Sequence, residues 1–69
     1  KKGLYDSAIA EFTDCLEKMP DNATVTYHLG MAYYKKGDLE KAKAELEKAL
    51  KLDESFTGAA EAKQVLAEL

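Results

Sequence analysis

The sequence predicts an all-α chain of about four helices, arranged as antiparallel helix-turn-helix units stacked side by side. Three observations carry that expectation. The chain matches itself at a shift of 34 residues, and apolar residues recur at helical spacing within each segment. The composition, 46% hydrophobic and 33% charged with one Pro and four Gly, is that of a folded helical chain rather than a disordered one.

The internal match is specific. Lys1-Lys2-Gly3 recurs as Lys35-Lys36-Gly37, and Ala8, Ala10, Glu11 and Leu16 recur as Ala42, Ala44, Glu45 and Leu50. Asp6 matches Glu40, Phe12 matches Leu46 and Cys15 matches Ala49 in the same register. With 69 residues the core is small, so such a chain needs support from disulfides, a metal, neighbouring repeats or a partner. Cys15 is the only cysteine, which rules out an intramolecular disulfide, and the single His28 has no companion for a zinc pattern. Support from further protein is what remains.

Residues 1–22 read as the second half of a unit. Lys1-Lys2-Gly3 resembles the tail of a preceding helix, and a helix is expected from about Leu4 to Lys18. Its residues Tyr5, Ile9, Phe12 and Leu16 would face a helix missing from the chain, and apolar surface left open in this way favours self-association. Cys15, standing where the other unit has Ala49, is expected to be a small buried hydrophobe.

Residues 23–56 read as a complete unit. Val25, Leu29, Ala32 and Tyr33 form one apolar stripe between Asn22 and Lys36. Gly37 suits a left-handed C-terminal cap and Asp38 can cap the next helix, so the turn is short. From Leu39 to Leu52 the expected buried stripe is Leu39, Ala42, Leu46, Ala49 and Leu50. Asp14/Lys18 and Glu47/Lys51 are spaced for exposed ion pairs worth a few tenths of a kcal/mol each. Gly30 costs about 1 kcal/mol against Ala inside a helix, which a close helix crossing at small residues such as Ala8 and Ala42 would offset.

Residues 57–69 read as a closing helix. Ala59, Ala62, Leu66 and Leu69 make an apolar stripe, and Glu61, Lys63, Gln64 and Glu68 make the rest polar. Lys63, Gln64 and Ala67 stand where another unit would carry Leu, Gly and Tyr, so this helix is expected to cap the stack.

These residues resemble the tetratricopeptide repeat family, whose pattern is W-x2-L-G-x2-Y, then A-x3-F, then P, with a period of about 34. The complete unit carries Leu29-Gly30-Met31-Ala32-Tyr33 and Ala42-x3-Leu46, and the half unit carries Ala8-x3-Phe12 with Pro20. It departs from the pattern at Thr26 for Trp, Leu46 for the aromatic and Glu54 for Pro. The resemblance implies a right-handed superhelical solenoid of which this chain is the C-terminal part. It also implies noncatalytic binding of a partner protein's peptide or helix in a concave groove, as part of a scaffold. By resemblance the groove-facing residues are Thr24, Tyr27, Met31, Tyr34 and Lys35, with Gly58, Glu61 and Val65 on the last helix. The other reading of Tyr27 and Tyr34 is that they pack against adjacent helices. Chaperone-binding members hold a carboxylate with Lys, Arg and Asn, whereas Tyr27 and Met31 occupy the comparable places here. The KKGD turn and closing AAEAK segment resemble bacterial assembly, secretion or envelope proteins, which would place the chain in the cytoplasm, periplasm or envelope. The alternative function is a structural scaffold that self-assembles through exposed repeat ends, with Tyr5, Ile9, Phe12 and Leu16 at the contact.

No enzyme, cofactor or metal is expected. The carboxylates fall at the spacing of solvated helix faces, His28 has no partner to activate, and the four glycines form no phosphate loop. A net charge of −3 with interspersed signs gives no nucleic-acid footprint, and no apolar run is long enough to insert into a membrane.

Overall fold

The computed structural model describes residues 2–69, with Lys2 through its backbone alone; the reading of Lys1 lies outside the described residues. Four helices follow in order: α1 (Lys2–Lys18), α2 (Ala23–Lys36), α3 (Leu39–Leu52) and α4 (Ala59–Glu68). No strand occurs among the described residues.

The first helix begins earlier than its sequence suggests. Gly3 matches Gly37 in the internal repeat, yet it lies within α1, and among the described residues Gly37 alone takes a positive φ. Leu4, in the place of Asp38, offers no side chain to cap a helix start. Pro20 follows the end of α1, where its fixed φ and missing N–H suit a chain leaving the helix.

Asn22 starts α2 twice over. Its side chain accepts from the Val25 N–H at 3.0 Å, and its carbonyl accepts the Thr26 N–H at 3.0 Å and the Thr26 hydroxyl at 2.9 Å. The second bond explains how Thr26 can be fully buried where the repeat pattern carries an indole. At the other end Gly37 adopts φ 100° and its N–H reaches the Tyr33 and Tyr34 carbonyls, while the Asp38 N–H reaches Tyr33 at 2.9 Å. Both bonds satisfy carbonyls that the helix end leaves free, and the left-handed φ is open to Gly at little cost. Asp38 then caps α3, accepting from the Lys41 N–H at 3.4 Å. The short Gly37-Asp38 turn reverses the chain and lays α3 against α2.

The packing is sequential. α2 lies against α1 and α3, and α4 lies against α3. The tightest point is the crossing of α2 and α3, where Gly30, Ala42, Leu46 and Ala49 meet. A Cβ on Gly30 would come within 2.9 Å of the Leu46 Cγ and Cδ2 and 3.2 Å of its backbone N, so the missing side chain is what admits Leu46. Ala42, Leu46 and Ala49 are sealed from solvent on α3. The crossing offsets the propensity cost of a mid-helix glycine, as the small residues around it suggest.

Other expectations are corrected. Leu39 is 49% exposed and stands outside the α3 stripe, facing solvent from the first turn. On α4 the buried residues are Ala59, Ala62 and Val65; Leu66 is half-buried and Leu69, past the last helical turn, is exposed. Cys15 is exposed. Its equivalent Ala49 lies on a helix covered by both α2 and α4, whereas α1 packs against α2 alone among the described helices. The pairs Asp14/Lys18 and Glu47/Lys51 do not form; the ion pairs are Lys36–Asp6 at 2.6 Å, which ties α2 to α1, and Lys41–Asp38 at 3.9 Å. Exposed partners four residues apart gain little by giving up water and rotamer freedom. Lys36 holds its proton more tightly than an ordinary lysine, first through the hydrogen bond to Asp6 and then through its charge. A raised folded-state pKa contributes stability below the ordinary lysine value and loses it as the pH rises past that range.

Candidate protein-binding face

Helix α2 presents the predicted face unevenly. Thr24 and Lys35 are exposed, Met31 and Tyr34 are half-buried, and Tyr27 is buried with 8% of its surface in solvent. Tyr27 differs because Phe56 and Gly58 of the α3–α4 connection and Glu61 of α4 close over its ring.

Two hydrogen bonds connect the helices. The Tyr27 hydroxyl donates to Glu61 Oε1, and the Tyr34 hydroxyl donates to Glu68 Oε1 at 3.4 Å. Each pair is separated by 34 residues. One repeat length brings equivalent positions of successive first helices side by side, so the face consists of rungs joining residue i to residue i+34. Met31 and Val65, likewise 34 residues apart, stand between the two polar rungs in sequence. Met31 and Tyr34 both pack onto the edge of the core.

Tyr27 is seated on backbone. A Cβ added to Gly58 would fall 2.6 to 2.8 Å from three atoms of the Tyr27 ring, so only glycine leaves room for it. Phe56 lies across the ring with centroids 5.5 Å apart, and His28 lies 5.2 Å away on the side toward α1. His28 is exposed and stacks on Phe12 of α1 at 5.7 Å and 21°. These aromatic contacts run from α1 through α2 to the α3–α4 connection.

Burial, the hydrogen bond to Glu61 and the Glu61 charge together push the Tyr27 phenol from its ordinary 10.0 up to about 12. The folded state therefore favours the protonated phenol. Its contribution to stability is complete below pH 10.0 and is lost as the pH rises through about 12. An alkaline titration followed by tyrosinate absorbance should show a late step from Tyr27, with α4 released over the same interval. Tyr27→Phe should remove the late step; a late step that survives the substitution would contradict the assignment.

The residues expected at a self-association surface are arranged along α1. Tyr5, Ile9, Phe12 and Leu16 are half-buried, and the most open apolar side chains near them are Leu4, 69% exposed, and Met19, 52% exposed. Glu68 was not among the groove residues read from the sequence. The signal was available, since adding 34 to Tyr34 lands on it.

Among the described residues there is no pocket, no group of three His, Cys, Asp or Glu side chains placed to hold a metal, and no helix long and apolar enough to cross a membrane. The face offers contact area and a few polar groups rather than an enclosed site.

Comparison with known proteins agrees with this geometry. The family profile described as tetratricopeptide repeat matches residues 1–69. The chain is similar to human tetratricopeptide repeat protein 12, with 40% identity over 58 residues. That match covers 84% of this chain and 8% of the relative, so the chain spans a small part of the relative's length. No solved structure matches. The relative is human and lends no support to the bacterial resemblance of the KKGD turn.

Proposed function

Because the chain belongs to the tetratricopeptide repeat family, whose repeats are in general noncatalytic protein–protein interaction modules, we propose that it binds a peptide or helix of a partner protein on the α2–α4 face, as part of a larger scaffold. One observation carries this reading. α2 is enclosed by α1 and α3, yet it keeps Thr24 and Lys35 exposed and Met31 and Tyr34 half-exposed on the remaining side. A flexible thioether and a phenol with a polar end suit a surface that must accept another chain. Tyr27 acts beneath that surface, holding α4 in place so that the second wall of the face exists. We assign the chain no catalytic role.

The test uses the chain as bait, comparing wild type with Met31→Ala/Tyr34→Ala and leaving Tyr27 intact. A partner retained by wild type should be lost from the variant while the helical circular dichroism is unchanged. Equal retention would move the binding surface elsewhere.

A second reading rests on Leu4 and Met19, which extend the apolar flank of α1 into solvent. It is a scaffold in which copies associate through α1. The closing helix cannot supply the complementary surface, because Lys63 and Gln64 stand exposed where α2 has Leu29 and Gly30. Concentration-dependent association that ignores the Met31/Tyr34 substitutions but is abolished by Leu4→Glu would favour this reading over the first.

A further inference from the structure

We infer that the partner segment taken by the α2–α4 face is cationic, with two Lys or Arg side chains flanking an apolar residue. This deepens the proposed function and rests on it. Along the face the rungs alternate: Tyr27 with Glu61, Met31 with Val65, and Tyr34 with Glu68. The central position offers apolar surface through the half-exposed Met31, which packs against the core that contains the buried Val65. The outer rungs each end in an exposed carboxylate.

Those carboxylates have unused capacity. An ionised carboxylate has about four acceptor sites, and a single tyrosine hydroxyl occupies one on Glu61 and one on Glu68. Neither belongs to an ion pair among the described residues, whose cations Lys36 and Lys41 are engaged with Asp6 and Asp38. The phenols do a second thing: by donating to Oε1 they hold each carboxylate in place, so that less side-chain freedom is lost when a partner cation arrives. Lys35 is the cation of this face and sits at its far end, in register with Leu69. The chain as a whole carries −3, which repels an acidic partner and draws a basic one.

Spacing narrows the partner further. Glu61 and Glu68 are two helical turns apart, about 10 Å along α4. In an extended strand residues three apart point to opposite faces, whereas a polyproline II segment, with three residues per turn and about 3.1 Å per residue, sets them on one side about 9 Å apart. Two lysines separated by two leucines would therefore meet both carboxylates while a leucine lies near Met31.

The experiment uses labelled peptides with the full chain and fluorescence anisotropy. One peptide carries Lys-Leu-Leu-Lys, a second Glu-Leu-Leu-Glu and a third Lys-Ser-Ser-Lys. The first should bind most tightly, lose affinity as salt is raised, and bind Glu61→Gln/Glu68→Gln on the order of tenfold more weakly. The amide oxygen of Gln still accepts from each phenol, so the variant keeps the fold, and circular dichroism confirms that. Equal binding of the Lys and Glu peptides, or no response to the double substitution, overturns the cationic assignment. If the Glu peptide binds and Met31→Ala weakens it, the face is a binding surface with the opposite preference. If no peptide binds, the inference and the proposed groove fall together.

Discussion

Leu46→Ala should cost about 2 to 5 kcal/mol and lower the melting temperature strongly. Leu46 is sealed from solvent, and its side chain fills the space that Gly30 leaves open. A chain of this size has roughly 3 to 10 kcal/mol of stability to lose, at about 0.05 to 0.15 kcal/mol per residue. Collapse cannot repair the cavity, because the helices already approach as closely as the backbone allows: a Cβ on Gly30 would lie only 3.2 Å from the Leu46 N. Thermal unfolding followed by circular dichroism measures the loss. Adding Gly30→Ala identifies its cause. In the wild type the new methyl collides with Leu46, but with Leu46 cut back it enters the vacated space and removes a mid-helix glycine that costs about 1 kcal/mol. The double variant should melt above Leu46→Ala alone. A second substitution that lowers the melt further would show that the crossing is not where the energy is lost.

The crossing was legible from residue types. Gly30 inside a helical stripe demanded a close approach; the residue that makes it is Leu46, where the sequence pattern suggests the small residues Ala8 and Ala42. The helix boundaries at Gly37 and Asp38 were equally legible, because left-handed φ and side-chain capping are properties of single residues. Gly3 lies inside α1, and Leu4 behind it offers no side chain to cap a helix start, as Asp38 does behind Gly37.

Burial that depends on neighbours was less legible. Cys15 and Ala49 share a register, but one is exposed and the other sealed, because two helices cover α3 while α1 has one neighbour among those described. The α4 stripe slid toward Val65 for a similar reason: the helix is positioned by Tyr27 and Phe56 as well as by α3, and periodicity alone does not say which neighbour it will meet. The partial occlusion of the binding face had the same origin. Tyr27 belongs to the set of face positions by spacing, yet the ring is spent on holding α4, which leaves Met31 and Tyr34 as the accessible aromatic and sulfur surface. The rungs could have been read by adding the period to each face residue, since a stacked repeat turns a sequence separation of 34 into contact.

Gly58→Ala should release α4 while leaving α1 to α3 folded. The backbone at Gly58 has φ −92° and ψ 9°, which alanine can adopt, so the substitution carries no left-handed strain. Its entire penalty is the methyl group placed 2.6 to 2.8 Å from the Tyr27 ring. The ring cannot step aside, being packed by Phe56 and His28 and held at its hydroxyl by Glu61. Overpacking of this kind costs about 1 to 3 kcal/mol, against a gain of roughly 0.4 to 1 kcal/mol from restricting the unfolded chain. α4 meets the rest through Ala59, Ala62, Val65, the half-buried Leu66 and the Tyr rungs, so a net loss of that size falls on the shortest helix. Amide exchange should speed up across Ala59–Glu68 and stay slow in α2 and α3. A double-mutant cycle gives the sharper result. Tyr27→Ala alone loses the rung and its packing, but in that background Gly58→Ala has nothing to strike and should cost far less than it does in the wild type. Equal costs in the two backgrounds would mean that α4 is seated by α3 alone and that the ladder between successive first helices contributes nothing to holding the face together.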